Sequence, residues 1–361
     1  MKKTLLAAAL LAGFAGVAQA ETSVTLYGII DTGIGYNKVK GPGIDSHSKI
    51  GMVNGVNSGS RWGLRGTEDL GDGLRAVFTL ESGFNSANGS QLQDRLFGRQ
   101  ATIGLASDSW GQLDFGRQTN IASKYFLNID PFAASFGQSN LGVGISQTNT
   151  LRYDNMVMYQ TPSFSGFQLG VGYSFNQNDV AGSSFETADN TRAITAGARY
   201  VNGPLQVALS YDQLNGDNAN DDATPRAYAI GAAYDFEVVK LSLAYGRTTD
   251  GWFGGTTNAP GGLTNFGGQG SFADGFKANS YMVGLTAPVG AGKVFGSWQM
   301  VDPSNDKLTG GDETMNIFSL GYTYDLSKRT NLYVYGSYGK NWAFIDDAKT
   351  TAAAVGIRHR F

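Results

Sequence analysis

The chain has no cysteine among its 361 residues, and only two histidines, His47 and His359. Disulfide stapling is therefore excluded, and so is any metal site built from cysteine or paired histidines. A serine–histidine–acid triad would have to use one of those two histidines. His47 lies in a polar stretch, and His359 shares its strand side with Phe361. Neither has a serine and a carboxylate arranged around it in the pattern, so nothing reads as an enzyme. Long apolar runs are also missing beyond the N-terminus, and the mean hydropathy is -0.20. This excludes a helical membrane protein, which needs about 20 apolar residues per span. It does not exclude a transmembrane barrel, whose strands need only about 9–11 residues with half of them polar. Strong charge of one sign is lacking too, with 27 basic and 30 acidic residues, so nothing points to nucleic acid. Glycine pairs such as Gly33/Gly35 are not followed by a helix and carry no nucleotide signal. No cofactor is implied.

What is present is glycine (51), tyrosine (17) and phenylalanine (21), which suit barrel walls, tight turns and interfacial girdles. Residues 1–20 have the form of a secretory signal peptide. Lys2 and Lys3 start it, an apolar run from Leu5 to Val17 follows, and Ala18-Gln19-Ala20 forms an A-x-A cleavage site. The mature chain is expected to begin at Glu21 and to form one domain over 21–361, with about -5 formal charge.

Beyond this, alternating segments recur without a break. Val24, Leu26 and Ile30 alternate with Thr25, Tyr27 and Asp31; Leu74, Ala76, Phe78 and Leu80 alternate with Arg75, Val77, Thr79 and Glu81. The period runs through 95–106, 110–118, 149–161, 166–177, 190–201, 204–214, 225–236, 237–249, 276–288, 292–301, 313–325 and 329–341. It ends at 350–361, where Val355, Ile357, His359 and Phe361 oppose Gly356, Arg358 and Arg360. Sixteen antiparallel strands are predicted, the last of them paired, because an open edge invites aggregation. Short connections alternate with long polar ones at 38–59, 85–94, 119–148, 177–189, 215–224, 250–275, 302–312 and 342–349. An all-β transmembrane barrel with short periplasmic turns and long extracellular loops has this rhythm.

Arg61 and Arg65 share parity opposite Trp62 and Leu64, and Arg152 and Asp154 share parity opposite Leu151 and Tyr153. An arginine at the lipid midplane costs roughly 2–4 kcal/mol, so mid-strand arginines are expected to face a watery lumen. Arg99 shares parity with Ile103 and Leu105, and periodicity leaves its side open. Arg75, Arg117 and Asp31 are further lining candidates. Tyrosine pairs such as Tyr322/Tyr324 and Tyr333/Tyr335 read as an interfacial girdle, with a sugar slide inside the pore as the alternative. The 119–148 loop carries Tyr125, Phe126, Phe132, Phe136, Leu141, Val143 and Ile145, which ask to be packed. They fit a loop folded into the lumen, or one buried at a subunit interface.

Several fragments together resemble the Gram-negative general porins, especially the betaproteobacterial (Bordetella-type) group. They are Val24-Thr25-Leu26-Tyr27-Gly28, Ser60 to Gly73, Leu80-Glu81-Ser82-Gly83-Phe84, Phe97-Gly98-Arg99-Gln100, Phe115-Gly116-Arg117-Gln118, Leu151 to Asn155 and Val355 to Phe361. The resemblance spans the mature chain. It implies a trimeric sixteen-stranded barrel in the outer membrane, with the third loop folded inside as an eyelet. Arg61, Arg99 and Arg152 match wall arginines and Glu81 an acidic wall residue, with Asp130 expected as a facing acid on the loop. The family's usual Tyr-x-Phe ending is His359-Arg360-Phe361, so the terminal Phe of the assembly signal is kept. Expected partners are outer-membrane lipids, the barrel-assembly machinery, small hydrophilic solutes and inorganic anions. The expected activity is general diffusion with weak anion preference. A substrate-specific channel and a non-conducting surface-binding barrel are the alternatives.

Overall fold

The computed structural model describes residues 23–42, 44–178, 186–217, 222–254 and 269–361. The expected signal peptide at 1–20, residues 218–221 of the 215–224 connection and the glycine-rich 255–268 lie outside them. Sixteen antiparallel strands form one closed sheet. In chain order they are β1 (Ser23–Gly41), β2 in two pieces (Ile44–Asn54 and Arg61–Gly71), β3 (Leu74–Gly83), β4 (Gln100–Ser107) and β5 (Gly111–Thr119). Then follow β6 in two pieces (Arg152–Tyr153 and Met156–Gln160), β7 (Phe167–Ser174), β8 (Arg192–Asn202), β9 (Leu205–Asn215) and β10 (Arg226–Asp235). The last are β11 (Lys240–Gly254), β12 (Gln269–Val289), β13 (Gly292–Pro303), β14 (Met315–Asp325), β15 (Thr330–Lys340) and β16 (Lys349–Arg360). The barrel closes between β1 and β16, paired from Ile29↔Arg360 to Lys40↔Lys349. Gly28 and Phe361 then exchange both backbone hydrogen bonds at 3.1 Å. Closure leaves no unpaired edge, which is the one way a sheet can satisfy its backbone in lipid.

The period-2 pattern sorts the two faces. Val24, Leu26, Ile103 and Leu320 are each about 60% exposed on the outer face, with Leu169, Val171, Leu209, Ile230, Val334 and Val355 beside them. The alternate positions carry polar groups such as Thr195, Ser210, Asp212, Gln299, Ser319 and Ser337, all buried. An apolar outside and a polar inside invert the soluble pattern and fit a barrel in lipid.

Three boundaries differ from expectation, one of them the 250–275 connection, where β11 runs on to Gly254 and β12 already begins at Gln269. The 38–59 stretch is not a loop: β1 runs on to Gly41 and β2 starts at Ile44, pairing Val39 with His47. β2 then breaks at 55–60 and resumes at Arg61. Polar residues satisfy a barrel strand that rises out of the membrane as well as they satisfy a loop, so polarity misplaced this hairpin. The segment expected to start at 95 begins as β4 only at Gln100.

Residues 120–149 lie against the polar face of strands β7–β15, which in a closed barrel is the lumen. The helix α1 (Ile121–Phe126) starts them, capped by Asn120, whose Oδ1 accepts from Ser123 N at 3.3 Å. Asn120 Nδ2 also donates to Asp212 Oδ1 on β9 (2.8 Å) and to Gln147 O (2.9 Å), tying both ends of the loop to the wall. Ile121 N donates to Thr195 Oγ1 on β8. Glycines in the wall allow the close approach: a Cβ at Gly197 or Gly231 would come within 2.8 Å of Ile121 or Phe126. Further on, Phe132 and Phe136 pack on Phe295, Tyr333 and Tyr335, with ring centroids 5.0–5.8 Å apart. Tyr333 and Tyr335 therefore point inward and do not belong to a girdle. Tyr324, 44% exposed on the outer face beside Leu320, does fit one.

Candidate functional site

The loop narrows the lumen from one side and leaves an arginine-rich wall on the other. Glu81 on β3 sits at the centre of that wall. Its Oε1 accepts from Arg99 Nε at 2.6 Å and lies 3.8 Å from Arg61 Nη1, while its Oε2 accepts from Tyr27 Oη at 3.0 Å. Strand parity places Arg61, Glu81 and Tyr27 together, because Gly63 pairs with both Tyr27 and Glu81. Gly63 opens the space between them: a Cβ there would meet the Tyr27 ring. Arg99 reaches the same point by another route. It precedes β4, its N–H still bonds Glu81 O (3.2 Å), and the chain turns away from strand geometry there. The side chain thus enters the lumen even though strict alternation would align it with the outer positions Ile103 and Leu105.

A second carboxylate, Asp154, accepts from Arg117 Nη1 and Arg95 Nη1, both at 2.6 Å. Arg117 Nε also donates to Gly98 O (2.8 Å), and Arg95 Nη2 to Asn178 Oδ1 (3.2 Å), so the 84–99 connection is laced to the start of β6. Arg152 stands within electrostatic reach of Arg99, Arg117, Arg61 and Glu81. Its buried Nε has no hydrogen-bond partner among the described residues. The expected alternation around it fails: Leu151 and Tyr153 are buried against the inward loop, not turned to lipid. The cause is the break in β6, where Asn155 adopts a positive φ of 47° and parity lapses. Arg95 was not singled out by periodicity, because it lies in a connection.

Three other expected lining residues do different work. Asp130 does not face the arginines. Its Oδ1 accepts from Phe132 N (2.9 Å), and its Oδ2 from Ala134 N (2.8 Å) and Leu141 N (2.9 Å), all within its own loop. Burial pushes its carboxyl up to about 6 despite those three donors. Asp31 accepts from Tyr333 Oη and Ser58 N, each at 2.7 Å, and so pins the 55–60 break of β2 to β15. Arg75 keeps inward parity but lies at the short-turn end, ion-paired with Asp108 at 2.7 Å. Arg65 stacks 5.5 Å from the Tyr27 ring centroid, next to the Glu81 cluster.

On the loop, Leu127, Ala133 and Ser135 line the same space as Arg61, and with Asn128 and Ala134 they are uncharged. Asp130 is the only acid in 120–149, and it is turned away. Five guanidiniums thus gather around two carboxylates on this wall, while the loop residues that share the space with Arg61 are uncharged. A net positive lining between low-dielectric walls concentrates anions.

The model of the Gram-negative porin family matches residues 7–342. The chain is a Gram-negative porin. An outer membrane porin protein of Bordetella pertussis is 72% identical over the whole of both chains. Outer membrane porin protein 32 of Delftia acidovorans is 34% identical, again over the whole of both. Among solved structures, an anion-selective porin from Comamonas acidovorans superposes with a TM-score of 0.73 at 30% identity, covering 94% of this chain and 100% of that one. The porin is thus an outer-membrane diffusion channel of a Gram-negative bacterium, and its fold and family are those of a channel rather than an enzyme.

Proposed function

We propose that this porin passes small hydrophilic solutes and inorganic ions passively, with a weak anion preference, and catalyses nothing. The observation that carries the preference is the imbalance at the constriction: Arg61, Arg95, Arg99, Arg117 and Arg152 against Glu81 and Asp154, with Asp130 withdrawn. Guanidinium stays charged at every working pH, so the field is permanent. Glu81 and Asp154 hold the arginines in place without neutralising the group. The likeness to the Comamonas anion-selective porin supports the sign. A homotrimer is proposed on the family resemblance, with outer-membrane lipids around it and the barrel-assembly machinery recognising Phe361.

The test is reconstitution in a planar bilayer under a potassium chloride gradient. Conductance steps in multiples of three and a zero-current potential of anion sign are expected. The combined R61Q/R99Q/R152Q variant should still conduct but lose the anion sign. A triple variant with the wild-type potential would remove these residues from the selectivity.

A further inference from the structure

A second cationic cluster lies beside the same loop edge, at the short-turn mouth of the barrel, where Leu127, Ala133 and Ser135 also line the space. A cavity of about 590 Å³ opens there between Phe132, Phe295 and the basic side chains of Lys293, Arg358 and Arg360, with Arg61 at its inner end. Lys328 and Arg329 rim it from the β14–β15 turn, and the one carboxylate in its lining is Asp325. Lys293, Arg358 and Arg360 lie within electrostatic reach of one another. None of the three has an ion-pair partner within 4 Å among the described residues, unlike Arg99 or Arg117. Lys293 Nζ stands 5.8 Å from the Phe295 ring centroid. Arg358 Nη1 is held by Asn57 Oδ1 (3.2 Å) and Ser58 Oγ (3.0 Å), whereas its buried Nε has no partner. Asp31, the nearest buried acid behind Arg358, is already occupied by Tyr333 and Ser58.

Three mutually repelling cations, one of them fixed in orientation, are stabilised by an anion that brings several acceptor oxygens. The volume is in the range of small-molecule sites, roughly 300–1,000 Å³. We propose that this mouth binds a phosphate monoester of a compact organic body, on the short-turn side of the constriction. The dianionic head offers three acceptor oxygens, against the single charge of chloride. It suits guanidinium donors, and the body rests on Phe132 and Phe295. The site rests on the channel reading above and adds to it a saturable, side-dependent step.

Single insertions in a bilayer bathed in chloride test it, with glucose 6-phosphate added to one compartment at a time and glucose as control. Each addition is read at the voltage that drives anions in from that side. Glucose 6-phosphate should reduce the chloride current from one side at lower concentration than from the other, and glucose should not. The K293Q/R360Q variant alters neither a constriction arginine nor the Arg358 hydrogen bonds. It should weaken the block at least roughly tenfold, because a charge-assisted hydrogen bond contributes more than that factor. It should also keep a zero-current potential of anion sign, and K293R alone should retain the block. Equal block from both sides, block by glucose, or full block in K293Q/R360Q would overturn the site and leave the channel standing. A folded wild-type protein without conductance would overturn the channel reading instead.

Discussion

At the scale of single residues, three acids have been put to three uses by different surroundings. Glu81 faces the lumen and spaces two arginines. Asp31 is a strut under a broken strand. Asp130 is folded into a tight turn as the acceptor for three N–H groups of its own loop. The last has a consequence with pH. Burial raises the Asp130 carboxyl to about 6, so the docked loop binds its proton more tightly than an unfolded chain does. The stabilisation linked to that proton is fully present below about pH 4 and is lost as pH rises through about 6. The thermal midpoint of wild type should therefore exceed that of D130N most at about pH 4, and the gap should shrink toward neutrality. A gap that widens with pH would show that the three N–H groups outweigh burial. Alternation made Arg61 and Glu81 legible in the sequence, because both sit in regular strand. It left the side of Arg99 open, gave no sign of Arg95 and misread the surroundings of Arg152, because these three lie where the chain leaves or breaks its strand. Asp130 was misassigned for a related reason: composition shows an acid on the loop but not which way its turn points the carboxylate.

At the scale of elements, the inward loop is held by three separate kinds of contact. Asn120 clamps its base to β9, glycines on the wall admit α1, and aromatic rings dock its far end. Gln299 on β13 adds a polar peg, donating to Ser139 O and Asn140 O and accepting from Gly144 N. Phe136 is the keystone of the far end. It touches Phe132, Phe295, Tyr333 and Tyr335, and its N–H donates to Val56 O at 2.6 Å. Removing its ring leaves a cavity among four aromatic neighbours, a loss of about 3–5 kcal/mol by the usual scale for buried Phe→Ala changes. That cost falls on loop docking rather than on the barrel, whose ladder bonds are untouched. F136A should thus raise the single-channel conductance and its noise while heat-stable barrel structure persists. An unchanged, quiet conductance would place the constriction elsewhere. The aromatic content of this loop was readable in the sequence and correctly asked for burial. The choice between lumen and subunit interface needed the wall glycines, whose role depends on which strand faces which.

At the scale of the whole molecule, fold and selectivity depend on different features of the chain. The barrel follows from a period-2 pattern and a rhythm of short and long connections, which survive any single substitution and were legible from the start. The anion preference follows from a few charges near breaks in that pattern, and its range is set by solvent rather than by the protein. Arginines in a water-filled gap are screened over roughly 10 Å at 0.1 M salt but only about 3 Å at 1 M. In the dilute case the fields of Arg61, Arg99 and Arg152 overlap with those of the cations at the short-turn mouth, and an ion meets one continuous positive path. In the concentrated case it meets separate charges, several already matched by Glu81 and Asp154. The anion-to-cation permeability ratio should accordingly fall as salt rises from 0.1 M to 1 M while conductance climbs. A ratio independent of salt would mean that ions are chosen by direct ligation at a dehydrated contact, and would shift the origin of selectivity from the summed field to close contact with individual constriction arginines.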